Sequence, residues 1–182
     1  MLGRAALPAD DDTPVAPINV YGASKAAAEA LVLQSGITAA VVRFSTVYGG
    51  DNDHHDRVIP AFIGAARAGQ PLRVNGADVM VDATHVDDVA AALARLAQRL
   101  AAGDEPAGPL LLASGIGTTL LALAQRACAL TGSTSAITVH PPREYDVERF
   151  IGTSARTAAF LGWQPAITLD AGLARLAAPC AP

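Results

Sequence analysis

Tyr21 and Lys25 stand four residues apart in Tyr21-Gly22-Ala23-Ser24-Lys25, at the start of a run with helical character. At that spacing two side chains leave one helix face one turn apart. An ammonium group beside a phenol favours the phenolate, and a tyrosine tuned in this way serves as a general acid or base. On its own the spacing also fits a partly exposed tyrosine beside a solvated lysine, which is the commoner case. The elements around it decide between the two.

Other polar clusters offer less. His54-His55 lies among Asp51, Asp53 and Asp56, but adjacent residues in an extended loop point apart and no third ligand follows at a closing distance. The stretch reads as a solvated loop. Cys128 and Cys180 lack metal-ligand spacing and are too few for a disulfide framework, so no metal is expected. Ser114-Gly115-Ile116-Gly117 resembles the start of a dinucleotide fingerprint, yet Leu120 occupies the place of its third glycine. A net charge of -4 without a basic stripe argues against nucleic acid. Met1-Leu2-Gly3-Arg4 leads into an acidic loop, and no uninterrupted apolar run is long enough to span a bilayer. The expectation is a soluble, cytoplasmic protein without a membrane partner.

Periodicity supplies the frame. Residues 1–19 read as loop, broken by Pro8, Pro14 and Pro17, with Asp10-Asp11-Asp12 as a solvated acidic tract. A helix is expected over Val20–Ser35, apolar nearly all round and stopped by Gly36. The β-branched run Ile37–Ser45 predicts a strand buried on both faces of a parallel sheet. Its carboxyl end opens into Thr46–Arg57, and ligands of open α/β sheets bind at such ends. Further helices are expected over Arg57–Ala68, from near His85 through Leu100, and over Thr119–Leu130, Ser154–Leu161 and Leu169–Ala177. Strands are expected over Pro71–Val74, Val79–Val81, Leu110–Ala113 and Ile137–Val139. Thr84-x-x-Asp87 reads as a capping box for the His85 helix, and Asp87 and Asp88 as compensation of its dipole. The whole is an α/β chain.

Five landmarks in register carry a resemblance. They are Tyr21-Gly22-Ala23-Ser24-Lys25; Arg43-Phe44-Ser45-Thr46-Val47-Tyr48-Gly49; Gly69-Gln70-Pro71-Leu72 to Gly76; His85-Val86-Asp87-Asp88-Val89-Ala90; and Leu161-Gly162-Trp163-Gln164-Pro165. Along nearly the whole chain the sequence resembles the extended short-chain dehydrogenase/reductases, in particular the NAD-dependent nucleotide-sugar epimerases and dehydratases. The resemblance implies a partial Rossmann-like parallel sheet plus a small α/β substrate-binding lobe. Residues 1–49 would end the dinucleotide-binding domain, and 50–182 would form mainly the lobe, with 79–102 returning to the Rossmann-like domain. Tyr21 would be the catalytic acid/base and Lys25 would hold the nicotinamide ribose, with Arg43 and Ser45 also on the cofactor side. Thr46, Val47, Arg143 and Asp146 would face substrate, Arg143 suiting a diphosphate through its planar fork. The cofactor implied is NAD, with NADP not excluded. Partners would be a nucleotide sugar and either a second copy or a complementing amino-terminal chain.

The departures shape the functional expectation. Thr46 and Val81 stand where similar enzymes carry asparagine and a polar residue. The Gly-rich phosphate loop, the first strands of the sheet and the catalytic serine or threonine of the family are not in this sequence. The chain thus resembles the carboxyl-terminal portion of such an enzyme, and Val20–Ser35 and Ile37–Ser45 would present apolar surface. Three readings stay open: hydride-transfer chemistry on a nucleotide sugar, present only where an amino-terminal half is supplied; a non-catalytic nucleotide-sugar-binding or interaction module; and reduction of a carbonyl substrate that carries no nucleotide.

Overall fold

The computed structural model describes residues 2, 8–50, 53–144 and 147–178. The expectations attached to Gly3, Arg4, Asp51, Asp146 and Cys180 lie outside the described residues. In chain order the elements are α1 (Val20–Gln34), β1 (Val42–Phe44), β2 (Thr46–Tyr48), α2 (Val58–Arg67), β3 (Leu72–Asn75), β4 (Met80–His85), α3 (Val86–Ala101), β5 (Leu110–Leu112), β6 (Gly117–Thr119), α4 (Leu120–Thr131), β7 (Ile137–His140), α5 (Ala155–Leu161) and α6 (Leu169–Ala177). The class is α/β with parallel pairing, as expected.

The strands form three small sheets. β1 pairs in parallel with β5. β2 pairs in parallel with β4, and β4 takes β6 on its other side in antiparallel register. β3 pairs in parallel with β7. Leu110, Leu111 and Leu112 are all essentially inaccessible, which is how a strand covered on both faces reads in sequence. Two apolar cores follow from this layout. One gathers Ile59, Phe62, Leu72, Val74, Leu123 and Leu173 under α2, α4 and α6. The other joins Val89, Leu96, Leu110, Leu112 and Trp163 between α3, β5 and the segment after α5.

Several expectations need correction. The strand read over Ile37–Ser45 is confined to Val42–Phe44, with Ile37 68% and Phe44 48% exposed. Among the described residues β1 pairs on one side alone, and the exposed Phe44 shows that one of its faces is open as well. The capping box also fails. The cap of α3 is His85, whose Nδ1 accepts from the amide of Asp87 at 3.2 Å, while the Thr84 hydroxyl lies 2.8 Å from Ser45 Oγ. β6 was hidden because its three residues, Gly117-Thr118-Thr119, read as the loop that opens α4.

The acidic residues were misjudged most. Asp11 is buried, not solvated: its carboxylate accepts from the amides of Leu111 (2.7 Å) and Arg156 (2.8 Å) and from the Thr157 hydroxyl (3.3 Å). Asp88 does more than offset a dipole. Its carboxylate accepts from the amides of Ala166 and Ile167, and its carbonyl accepts from Trp163 Nε1 at 2.9 Å. Asp82, fully buried, accepts from Ser114 N (2.8 Å), Ser114 Oγ (2.7 Å), Gly115 N (2.9 Å) and Gly152 N (3.1 Å). Amide donors held on a carboxylate make charge-assisted bonds, stronger than neutral ones.

Asp82 therefore fixes β4 to two loops at once. Replacing it with asparagine turns an acceptor oxygen into a donor facing amides, which leaves buried donors unmet. Asp82→Asn is expected to cost about 3 kcal/mol of stability in urea unfolding; a loss below about 1 kcal/mol would show that the network is dispensable.

Candidate functional site

The amino end of α1 is built locally. Asn19 caps the helix, its side-chain oxygen accepting from the amide of Gly22 at 2.8 Å, and Ser24 Oγ donates to the carbonyl of Tyr21 at 2.8 Å. Tyr21 is 69% exposed. Lys25 Nζ lies 5.6 Å from the centroid of the Tyr21 ring, a cation–π distance. Among the described residues neither the phenol hydroxyl nor the ammonium group has a hydrogen-bond partner. Two polar groups thus stand side by side, both free to meet a ligand. The i, i+4 spacing brings them together as the sequence predicts.

Arg43 sits behind this helix in β1 and is buried. Its fork meets Glu29 of α1 twice, Nη2 to Oε1 at 2.6 Å and Nε to Oε2 at 3.1 Å. Nη1 donates to the carbonyls of Thr13 (2.8 Å) and Asp11 (3.4 Å). All three nitrogens are engaged, so the place of Arg43 beside the site is that of an anchor for α1. Ser45 follows at the end of the β1–β5 ladder, its amide donating to Leu112 O at 2.9 Å. Thr46 and Val47 are half-buried in β2, opposite Ala83 and Thr84 of β4.

The next residue, Tyr48, closes β2, a strand where the sequence reads as the loop beyond Ile37–Ser45. Its ring packs edge-on against His85 with centroids 5.4 Å apart, and its hydroxyl donates to Leu169 O at 3.4 Å. Two glycines make room for this pair. Gly49, at φ +106°, presses on the His85 ring: a Cβ there would lie 2.7 Å from Nε2. A Cβ on Gly172 would lie 2.1 Å from the Tyr48 hydroxyl oxygen. Above them Val47, Gly49, Asp53, His54, Arg57 and Val86 line an open depression of about 410 Å³. His54 and His55 are exposed, and no group of three or more metal-ligating side chains occurs among the described residues.

Arg143 is exposed on the segment after β7. It is carried by the β3–β7 pair, a different sheet from the one beside α1. Next to it the turn at Gly76 and Val79 faces His140, Pro142 and Arg149 across a second depression of about 350 Å³. Asp146 lies outside the described residues.

A family model described as "NAD dependent epimerase/dehydratase family" matches residues 1–108. UDP-glucose 4-epimerase of Mycolicibacterium smegmatis is 28% identical over 178 residues, covering 93% of this chain and 55% of that protein. Among solved structures, MoeE5 in complex with UDP-glucuronic acid and NAD superposes with a TM-score of 0.83 at 27% identity, covering 95% of this chain and 59% of that one. UDP-glucose 4-epimerase from Thermotoga maritima, solved with UDP-glucose, superposes with a TM-score of 0.82 at 24% identity, covering 96% and 59%. The chain thus spans little more than half the length of these relatives. No helix among the described residues is long and apolar enough to cross a membrane.

Burial pushes the Tyr48 phenol up to about 12, helped by the carboxylates of Asp88 and Asp170 and opposed by Arg175. The folded chain therefore keeps this proton after the unfolded chain, near its ordinary value of 10.0, has lost it. The stabilisation is complete below that value and is lost as pH rises towards the folded one. Between them, stability is expected to fall by about 2 kcal/mol more in wild type than in Tyr48→Phe, read from unfolding midpoints across the alkaline range. Parallel pH curves for the two proteins would contradict the assignment.

Proposed function

The chain belongs to the NAD-dependent epimerase/dehydratase family, and on that premise we propose that it contributes the acid/base helix and the substrate-facing lobe of an enzyme acting on a nucleotide sugar by hydride transfer. The observation that carries this reading is the Tyr21–Lys25 pair, two unpartnered polar side chains one helical turn apart on an exposed helix end. Such a pair fits the nicotinamide ribose and the reacting hydroxyl of a sugar. The hydride acceptor in this reading is NAD or NADP.

The chain's own residues then take separate tasks. Tyr21 Oη receives the proton of the sugar hydroxyl as the adjacent carbon gives up its hydride, and returns it when the keto sugar is reduced again. The Lys25 ammonium, close to the ring, hydrogen-bonds ribose hydroxyls and stabilises negative charge on the phenol oxygen. Thr46 offers a half-buried hydroxyl where β1 gives way to β2, with Val47 as apolar wall. Ser45 serves the cofactor side, and Arg43 acts there through its hold on α1. Arg143, with Asp146, faces the diphosphate and ribose of the nucleotide, where a guanidinium fork matches phosphate oxygens. Residues 1–49 belong in this reading to the cofactor side and most of 50–182 to the substrate side.

The nucleotide sugar is supported by the relatives at 27–28% identity, whose names carry UDP-glucose or UDP-glucuronic acid. With NAD and UDP-glucose supplied, and an amino-terminal half added where the isolated chain binds no NAD, Tyr21→Phe is expected to lower turnover by about 10²- to 10⁴-fold. UDP-glucose affinity, read by calorimetry, stays unchanged. Arg143→Ala does the reverse, weakening that affinity by about tenfold or more. Unchanged turnover in Tyr21→Phe defeats the catalytic reading. Sugar-nucleotide affinity indifferent to Arg143 points instead to a carbonyl substrate without a nucleotide.

A further inference from the structure

We propose that Glu29 and Arg43 are positioning residues for the Tyr21–Lys25 pair, acting through the placement of α1. This rests on the function proposed above, and it starts from how little of α1 is buried. Of its fifteen residues only Gly22 and Glu29 are buried, while Val20, Tyr21, Leu31 and Leu33 are all more than half exposed. Apolar packing therefore does little to fix where this helix lies. A glutamate is an unusual residue to bury, and it is tolerated because its partner is buried with it.

The geometry makes the pair a two-point clamp. Both carboxylate oxygens of Glu29 are taken by separate nitrogens of Arg43, at 2.6 and 3.1 Å. A fork-to-fork contact fixes orientation as well as distance. Tyr21, Lys25 and Glu29 follow one another at intervals of four residues, a row that turns only slowly around the helix. Fixing Glu29 thus sets the rotation of α1 about its axis, and with it the direction in which Tyr21 and Lys25 project. Arg43 is immobilised in turn. It lies in β1, paired with Leu111 of β5, and its remaining nitrogen holds the carbonyls of Asp11 and Thr13. Asp11 is itself locked by the amides of Leu111 and Arg156. A continuous set of buried and part-buried polar contacts runs from α1 to β5 and α5.

The test compares wild type with Glu29→Gln, Arg43→Lys and the exchanged pair Glu29→Arg/Arg43→Glu, in the full chain. Amide hydrogen exchange is read separately in α1 and in α4, which lies in the other core. Each single variant is expected to exchange about tenfold faster in α1 with α4 unchanged, and the exchanged pair to recover part of that protection. In the turnover assay described above, the single variants lose about tenfold or more in kcat with KM for the nucleotide sugar within about threefold, as misplaced acid/base groups require. Protection of α1 unchanged in both single variants overturns the proposal, as does equal loss in α1 and α4, which is the mark of general destabilisation. A kcat that survives while α1 loosens also overturns it. A wild type that gives the exchange pattern but turns over no nucleotide sugar supports the clamp and counts against the catalytic reading, so the two failures are distinguishable.

Discussion

A guanidinium buried in β1 is the constraint on which the candidate site depends. A guanidinium removed from water, here that of Arg43, has to be met by partners of good geometry. Three sets of partners converge on it: Glu29 from α1, the carbonyl of Thr13 and the carbonyl of Asp11. Each comes from a segment that apolar packing holds weakly. The need to satisfy one charge therefore draws the loop of residues 10–13 and α1 onto the same strand.

The same logic recurs elsewhere in the chain. Its sheets are small, with several ladders only three residues long. Such ladders do little to fix elements to one another. Buried carboxylates make the connections instead. Asp11 joins the first loop to β5 and α5, Asp82 joins β4 to the loops at 114–115 and 152, and Asp88 joins α3 to the segment that carries Trp163. In each case backbone amides supply most of the donors, so the interaction reads position along the chain and not side-chain type. That gives a chain of alanine and leucine a defined arrangement, since such side chains alone pack in many near-equivalent ways.

This division explains what the sequence disclosed. Helices with a glycine stop, such as α2 and α5, were readable to within a residue or two of their ends. The Tyr21–Lys25 pair was readable because its geometry is local, set by one turn of helix. The strand after α1 was overextended, because a β-branched run states an intrinsic preference and not whether a neighbouring strand is there to satisfy it. Asp11 was misread because an acidic triplet looks solvated until the amides it caps, one hundred or more residues away, are brought to it. His85 displaced Thr84 as the cap of α3 because a hydroxyl already facing Ser45 was committed across the sheet. Long-range satisfaction of polar groups is what a single sequence hides.

The proposed function asks that the exposed phenol of Tyr21 meet a nicotinamide and a sugar, on a helix held through the Glu29–Arg43 ion pair. The most direct test follows Tyr21 itself. With ¹³C-labelled tyrosine rings in the full chain, together with an amino-terminal half where NAD binding requires one, NAD and UDP-glucose are titrated and each ring resonance is followed. The Tyr21 resonance is expected to move on saturation with the pair of ligands, while Tyr48, enclosed between His85 and α6, stays in place. Ligand binding that leaves the Tyr21 resonance unmoved would contradict the proposed function.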